Sequence, residues 1–150
     1  MPALSRRSAF RVAALVAGLS LVAAVPAHAE DTLPLAIKGY DPVAYFTMGK
    51  PVLGVAEIAH EWDGQRYLFA RTEHRELFKT DPIRYAPQFK NFCAMALAKG
   101  MLVEADPEAW LISDGKLYIF GGPAGPHLFQ QDLAANIAKA NENRPLIEKR

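Results

Sequence analysis

The sequence predicts an α+β domain, and three observations carry that prediction. Asp63-Gly64 and Asp114-Gly115 each lie between short runs rich in aromatic and β-branched residues, the pattern of a two-residue hairpin turn. Cap residues, prolines and apolar spacing mark several short helices between and after the hairpins. The stretch from Leu128 to Ala140 carries Leu128, Leu133, Ala134 and Ile137 at helical spacing, as a closing amphipathic helix would. Hairpins with segregated helices imply a small antiparallel sheet packed with helices.

The elements follow in chain order. Arg6, Arg7 and Arg11 precede an apolar run from Val12 to Val25, and Ala27-His28-Ala29 supplies the small residues of a cleavage site. That layout reads as a secretory signal peptide over residues 1–29, with the general secretory route expected and an uncleaved anchor as the alternative. The apolar run is too short to span a bilayer. Residues 30–150 then form one domain. Glu30 to Lys38 reads as an irregular lead-in. Asp41-Pro42 sets an N-cap residue before a proline at the first helical position, so Pro42 to Phe46 is a short helical turn.

In Val55–Trp62 the side chains of Ile58, His60 and Trp62 share one face, and Tyr67-Leu68-Phe69 forms the return strand. Thr72 caps a helix to about Lys79, Asp81-Pro82 opens a short piece that Pro87 ends, and Asn91 caps Phe92–Lys99 ahead of Gly100. Trp110-Leu111-Ile112 pairs with Leu117-Tyr118-Ile119. Both hairpins are expected in one antiparallel sheet, covered by the Phe92–Lys99 and Leu128–Ala140 helices. Gly121 to Pro126 reads as a connector, and Pro145 ends the last helix. No internal repeat, low-complexity tract or linker is visible.

Charge and cysteine usage narrow the function. Cleavage after Ala29 leaves 121 residues with 14 basic against 16 acidic side chains. Scattered, nearly balanced charge leaves no footprint for nucleic acid or an anionic membrane surface. Cys93 is the single cysteine, so no intrachain disulfide forms. An unpaired thiol in an exported protein is a reactive or ligating candidate. No phosphate loop, nucleophile elbow, His-Glu-x-x-His or CxxC pair is present, which argues against the enzymes those motifs serve. Asp41, Asp81, Asp106 and Asp114 each precede Pro or Gly, and turn and cap chemistry accounts for all four.

The residues able to carry chemistry are few. With Asn91 as cap, Cys93 falls in a first helical turn, where backbone N–H groups favour a thiolate. The segment Phe92-Cys93-Ala94-Met95-Ala96-Leu97-Ala98 is apolar all round, so an inert core thiol is the competing reading. His60 points inward, either as a core histidine or as a ligand or base beside Cys93. His74, one turn before Phe78, approaches the core or bonds the next turn at its boundary. His127 reads as solvated. Met48, Met95 and Met101 are soft thioethers able to serve copper, although without Met-rich spacing core packing accounts for them.

Taken together, Gly39-Tyr40-Asp41-Pro42-Val43-Ala44-Tyr45-Phe46, the hairpin with His60, Tyr67 and Phe69, Asp81-Pro82-Ile83-Arg84-Tyr85-Ala86-Pro87, Phe92-Cys93-Ala94 and Asp114-Gly115-Lys116-Leu117-Tyr118 resemble the YHS-domain family, in particular its small exported members. The motif residues that carry it are Tyr40, Asp41, Pro42, Tyr67, Phe69, Pro82, Tyr85 and Pro87. The resemblance implies a periplasmic binding module, with copper as the usual suggested ligand; some family members are described as selenoproteins. His60 and Tyr67 match two of the letters that name the family, while the serine falls at Arg71. YHS domains attached to copper-transporting ATPases carry thiols where this chain has Ala44 and Ala70, so a paired-thiolate site of that kind cannot form. Exported relatives often carry two glycines where this chain has Lys90-Asn91. A metal site would use Cys93 with His60 or His74, a set suited to copper or zinc. Alternatives are a thiol-based redox protein using Cys93 with His60, and a structural or partner-binding domain with Cys93 inert. The partner is then a metal ion, a small molecule or another periplasmic protein.

Overall fold

A computed structural model describes residues 33–149; the signal-peptide reading lies outside them. The chain forms strands β1 (Val55–Trp62), β2 (Gln65–Phe69), β3 (Asp106–Ser113) and β4 (Lys116–Phe120). Its helices are α1 (Ala44–Thr47), α2 (Thr72–Thr80), α3 (Pro82–Tyr85), α4 (Ala94–Ala98), α5 (Gly125–Gln130), α6 (Leu133–Glu142) and α7 (Pro145–Glu148). The α+β class is as the sequence predicts. Both Asp-Gly turns form as expected, with positive φ at Asp63 (48°), Gly64 (72°), Asp114 (49°) and Gly115 (68°), the primed turn that suits strand twist. Their registers, His60↔Tyr67 and Leu111↔Tyr118 among them, follow directly.

The hairpins do not join into one sheet; each is a separate two-stranded sheet. The outer edges of β2 and β4 are already taken. Arg66 N–H donates to Pro34 O (3.0 Å) and Gln88 N–H to Leu117 O (2.9 Å), each through a single parallel bridge beside a proline. β4 is buried on both faces. Leu117 and Ile119 pack with Tyr45, Tyr67, Phe69 and Phe78 in a first core. Tyr118 and Phe120 pack with Leu97, Phe129 and Ala140 in a second. The unbroken apolar run Leu117-Tyr118-Ile119-Phe120 is what burial on two sides requires.

An internal repeat, unseen in the sequence, organises both halves. The antiparallel bridges Tyr40↔Leu53 and Phe92↔Glu104 recur, as do the parallel bridges Leu35↔Arg66 and Pro87↔Leu117. Asp41 N–H donates to Val52 O and Cys93 N–H to Val103 O, both at 2.8 Å. Each hairpin breaks register at one place, between Val55 and Ala59 and between Asp106 and Trp110. Phe78 stacks on Phe69 at 5.3 Å, and Phe129 on Phe120 at 5.3 Å. Each equivalent residue lies 51 or 52 positions along. The surviving sequence signal is Asp63-Gly64-x-x-Tyr67-x-Phe69 against Asp114-Gly115-x-x-Tyr118-x-Phe120.

Four further expectations are corrected. The described part of the lead-in is not irregular: Ala36 and Ile37 are buried in a helical turn over Ala36–Gly39, with Ile37 at φ 49° and Lys38 at φ 50°. Asn91 does not cap α4; its side chain accepts from Ile37 N–H (2.8 Å) and donates to Leu35 O (3.0 Å), holding that turn. Thr72 does not cap α2, whose N-cap position is Arg71 with no side-chain cap bond. The closing helix is two helices, α5 and α6, broken at Asp132 (φ −145°, ψ 68°), and Pro145 begins α7 instead of ending the chain's last helix. Asn136 Nδ2 donates to Phe129 O (3.1 Å), satisfying a carbonyl at the break.

Candidate functional site

Equivalent positions in the two halves carry different chemistry. In the first half, Asp41 is fully buried at the start of the α1 turn. Its Oδ1 accepts from Val43 N–H (2.9 Å) and Ala44 N–H (3.2 Å), the capping role expected. Its Oδ2 accepts from Ala70 N–H (2.8 Å) and meets His74 Nδ1 at 2.6 Å, a pairing the sequence reading did not foresee. His74 is 5% exposed, so it belongs to the core and not its boundary. Its Nε2 meets Thr47 Oγ1 at 3.0 Å, while that hydroxyl donates to Val43 O (3.1 Å). No buried side-chain N or O atom among the described residues lacks a partner. Asp41 and His74 are thus buried with their partners, Thr47 closes the network at the surface, and together they tie α1 to the start of α2.

Cys93 takes the place of Asp41 in the second half. It is the N-cap of α4, and its Sγ accepts from Ala96 N–H at 3.4 Å. The side chain is 7% exposed and belongs to the second core. Unlike Asp41 it borders a groove of about 370 Å³, lined also by Met95, Met101, Val103, Gly121 and Leu128. Met95 is half-buried, while Met101 is 50% exposed on the rim. Met95 thus packs against the second core as expected, whereas the exposed Met101 does not.

His60 is half-buried on β1 as a direct cross-strand partner of Tyr67, its ring 6.2 Å from that of Phe78. It thus stands over the first core, whereas Cys93 lies in the second. His74 is committed to Asp41 and Thr47. The structure does not bring Cys93, His60 and His74 together as one site. Among the described residues no group of three or more His, Cys, Asp or Glu side chains could hold a metal ion. His127 is exposed on α5, as expected of a solvated residue.

The other motif residues are structural. Tyr40 Oη donates to Glu108 Oε1 (2.8 Å), and that bond is the main reason its phenol titrates above the usual range. Pro42 is fully buried beside Asp41. Burial pushes the phenols of Tyr45 and Tyr67 well upward. Phe69 lies in the first core, and Tyr85 meets Phe46 edge-on at 5.3 Å. Pro82 opens α3 behind the Asp81 cap, and Pro87 makes the bridge to Leu117.

Comparison with known proteins finds no matching family model, no similar curated protein and no similar solved structure.

Proposed function

We propose that the chain is a small exported binding module of the YHS type, and that it takes a soft transition-metal ion at Cys93. The observation that carries this reading is the Cys93 sulfur lining an open groove while its counterpart Asp41 is sealed by hydrogen bonds. A thiol loses its proton as a sulfur–metal bond forms, and thiolate is the donor soft ions prefer. Export rests on the basic, apolar and small-residue order of residues 1–29. Cell fractionation would find the protein in the periplasm with its N-terminus at Glu30; a cytoplasmic, uncleaved chain would end that part of the reading. The redox alternative keeps Cys93 and loses His60 as its activating base.

Titration with Cu(I) and Zn(II), wild type beside Cys93→Ser, tests the metal reading. Wild type is expected to bind one ion per chain that the variant does not. Equal binding by both proteins, or by neither, removes Cys93 as a ligand.

A further inference from the structure

A second concavity lies outside the Cys93 groove. A partly enclosed cleft of about 270 Å³ opens where the β1–β2 turn meets α3 and the α6–α7 junction. Trp62, Tyr67, Ile83 and Pro87 give it apolar walls, and Lys90 and Arg144 bring two cations to it. The two cations differ. Lys90 is matched: its Nζ stands 3.2 Å from Asp63 Oδ2 and donates to Asp63 O (3.3 Å), and Asp63 is the only acid in the lining among the described residues. Arg144 is not matched. Its Nη1 donates to Gln88 O (3.1 Å) and its Nη2 to Asn141 Oδ1 (3.0 Å), while its guanidinium carbon lies 5.0 Å from the centre of the Phe89 ring. These partners are neutral, and among the described residues no carboxylate pairs with Arg144. The two bonds use two of the five guanidinium N–H groups and hold the fork in a half-buried place.

The apolar side of the cleft is also incomplete. Ile83 is 73% exposed, the highest value among the exposed large hydrophobic side chains of the described residues, and Trp62 is only half-buried. An arginine without an acid or a bare isoleucine is ordinary alone, but here both line one concavity beside an indole. We propose that this cleft binds a small aromatic monocarboxylate, its ring against Trp62, Ile83 and Pro87 and its carboxylate on the free N–H groups of Arg144. One unmatched positive charge favours a monoanion over a phosphate dianion. The planar fork suits the two oxygens of a carboxylate. The volume lies just below the range of about 300–1,000 Å³ usual for ligand pockets, which admits one ring and is too small for a nucleotide. The counterpart of Trp62 in the second half is Ser113, so the aromatic wall belongs to the first half. Cys93 lines the other groove, so this site goes beyond the metal reading and does not rest on it.

The test follows the indole N–H signals of the two tryptophans, Trp62 and Trp110, by NMR on the full chain as benzoate is added through the millimolar range. Benzoate is expected to move the Trp62 signal to saturation and leave Trp110 in place. Benzamide, which keeps the shape without the charge, and acetate, which keeps the charge without the ring, are expected not to saturate either signal. Arg144→Lys keeps the charge and loses the fork, and is expected to weaken benzoate on the order of tenfold, the loss of a charge-assisted hydrogen bond. Because Arg144 also holds Gln88 and Asn141, a second pair of variants leaves it in place. Ile83→Glu and Ile83→Lys alter an exposed side chain, and the glutamate variant is expected to bind benzoate on the order of fivefold more weakly than the lysine variant, through charge alone. If benzoate leaves Trp62 unmoved, if benzamide binds as tightly as benzoate, or if the two Ile83 variants bind benzoate equally, the cleft is not a carboxylate site. None of these outcomes touches the metal reading, which stands or falls with Cys93.

Discussion

Single residues here do more than their local sequence announces. Asp41 was legible as a cap because Asp-Pro is a local signal, but its bond to His74 joins positions 33 apart that no local rule connects. Asn91 fails for the same reason: an amide before a helix reads as a cap, while this one closes onto Leu35 and Ile37. Holding Ile37 at φ 49° costs about 1–3 kcal/mol for a residue type that avoids that region, and the Asn91 bond offsets part of the cost. Arg71 offers the clearest single-residue experiment. Its φ of −142° and ψ of 149° are those of an N-cap, it is exposed, and α2 receives no side-chain cap. Arg71→Ser supplies an acceptor for the free N–H groups of the first turn and is expected to stabilise the fold by about 1 kcal/mol. The check is a shift of the urea midpoint to higher concentration with unchanged slope; an unmoved or lowered midpoint refutes the capping account.

At the scale of elements, the hairpins were fully legible and the repeat was not. Asp-Gly turns act within four residues, so sequence alone places them. Whether two hairpins join into one sheet depends on what reaches their edges, and Pro34 and Pro87 reach them from outside the strands. The halves keep the same backbone bridges while Asp41, Thr47 and His74 are replaced by Cys93, Lys99 and Gly125, so matching by residue type misses the equivalence. The departure from one continuous closing helix has a similar origin in Asn136, whose partner Phe129 is seven residues earlier. Gly125 and Gly122 separate propensity from packing on one segment. Alanine in place of glycine favours a helix by about 1 kcal/mol, but a Cβ at Gly125 falls 2.4 Å from the Phe120 Cβ. Overpacking of this kind costs about 1–3 kcal/mol, so Gly125→Ala is expected to destabilise, whereas Gly122→Ala, with nothing within 4 Å, stays within about 0.5 kcal/mol of wild type. Paired thermal melts decide it, and a Gly125→Ala protein as stable as Gly122→Ala would show that α5 is not pressed on β4.

For the molecule as a whole, one two-sided hairpin between two aromatic cores makes stability depend on phenols staying neutral. Tyr45 and Tyr67 are each 1% exposed in the first core, and burial is the leading cause that raises both phenols, with Glu108 adding to it at Tyr45 and Asp63 at Tyr67. Tyr118 in the second core is raised too, by burial first and Asp114 next, with Arg144 opposing. A group whose folded pKa lies above its unfolded value contributes stability that is complete below the unfolded pKa, about 10 for tyrosine. That stability drains as pH climbs from there toward the folded values, because the unfolded chain releases its protons first. Each buried phenol then costs about 1.4 kcal/mol per pH unit, so the urea midpoint is expected to be flat from pH 7 to about 9.5 and to fall steeply above about 10. Tyr67→Phe isolates the cause, since the Tyr67 hydroxyl makes only a 3.4 Å bond to Gln65 Oε1 and its removal strands no strong partner. The variant is expected to lose stability more gently above pH 10 than wild type. Parallel alkaline slopes for the two proteins would mean that the phenols are not what the folded state protects.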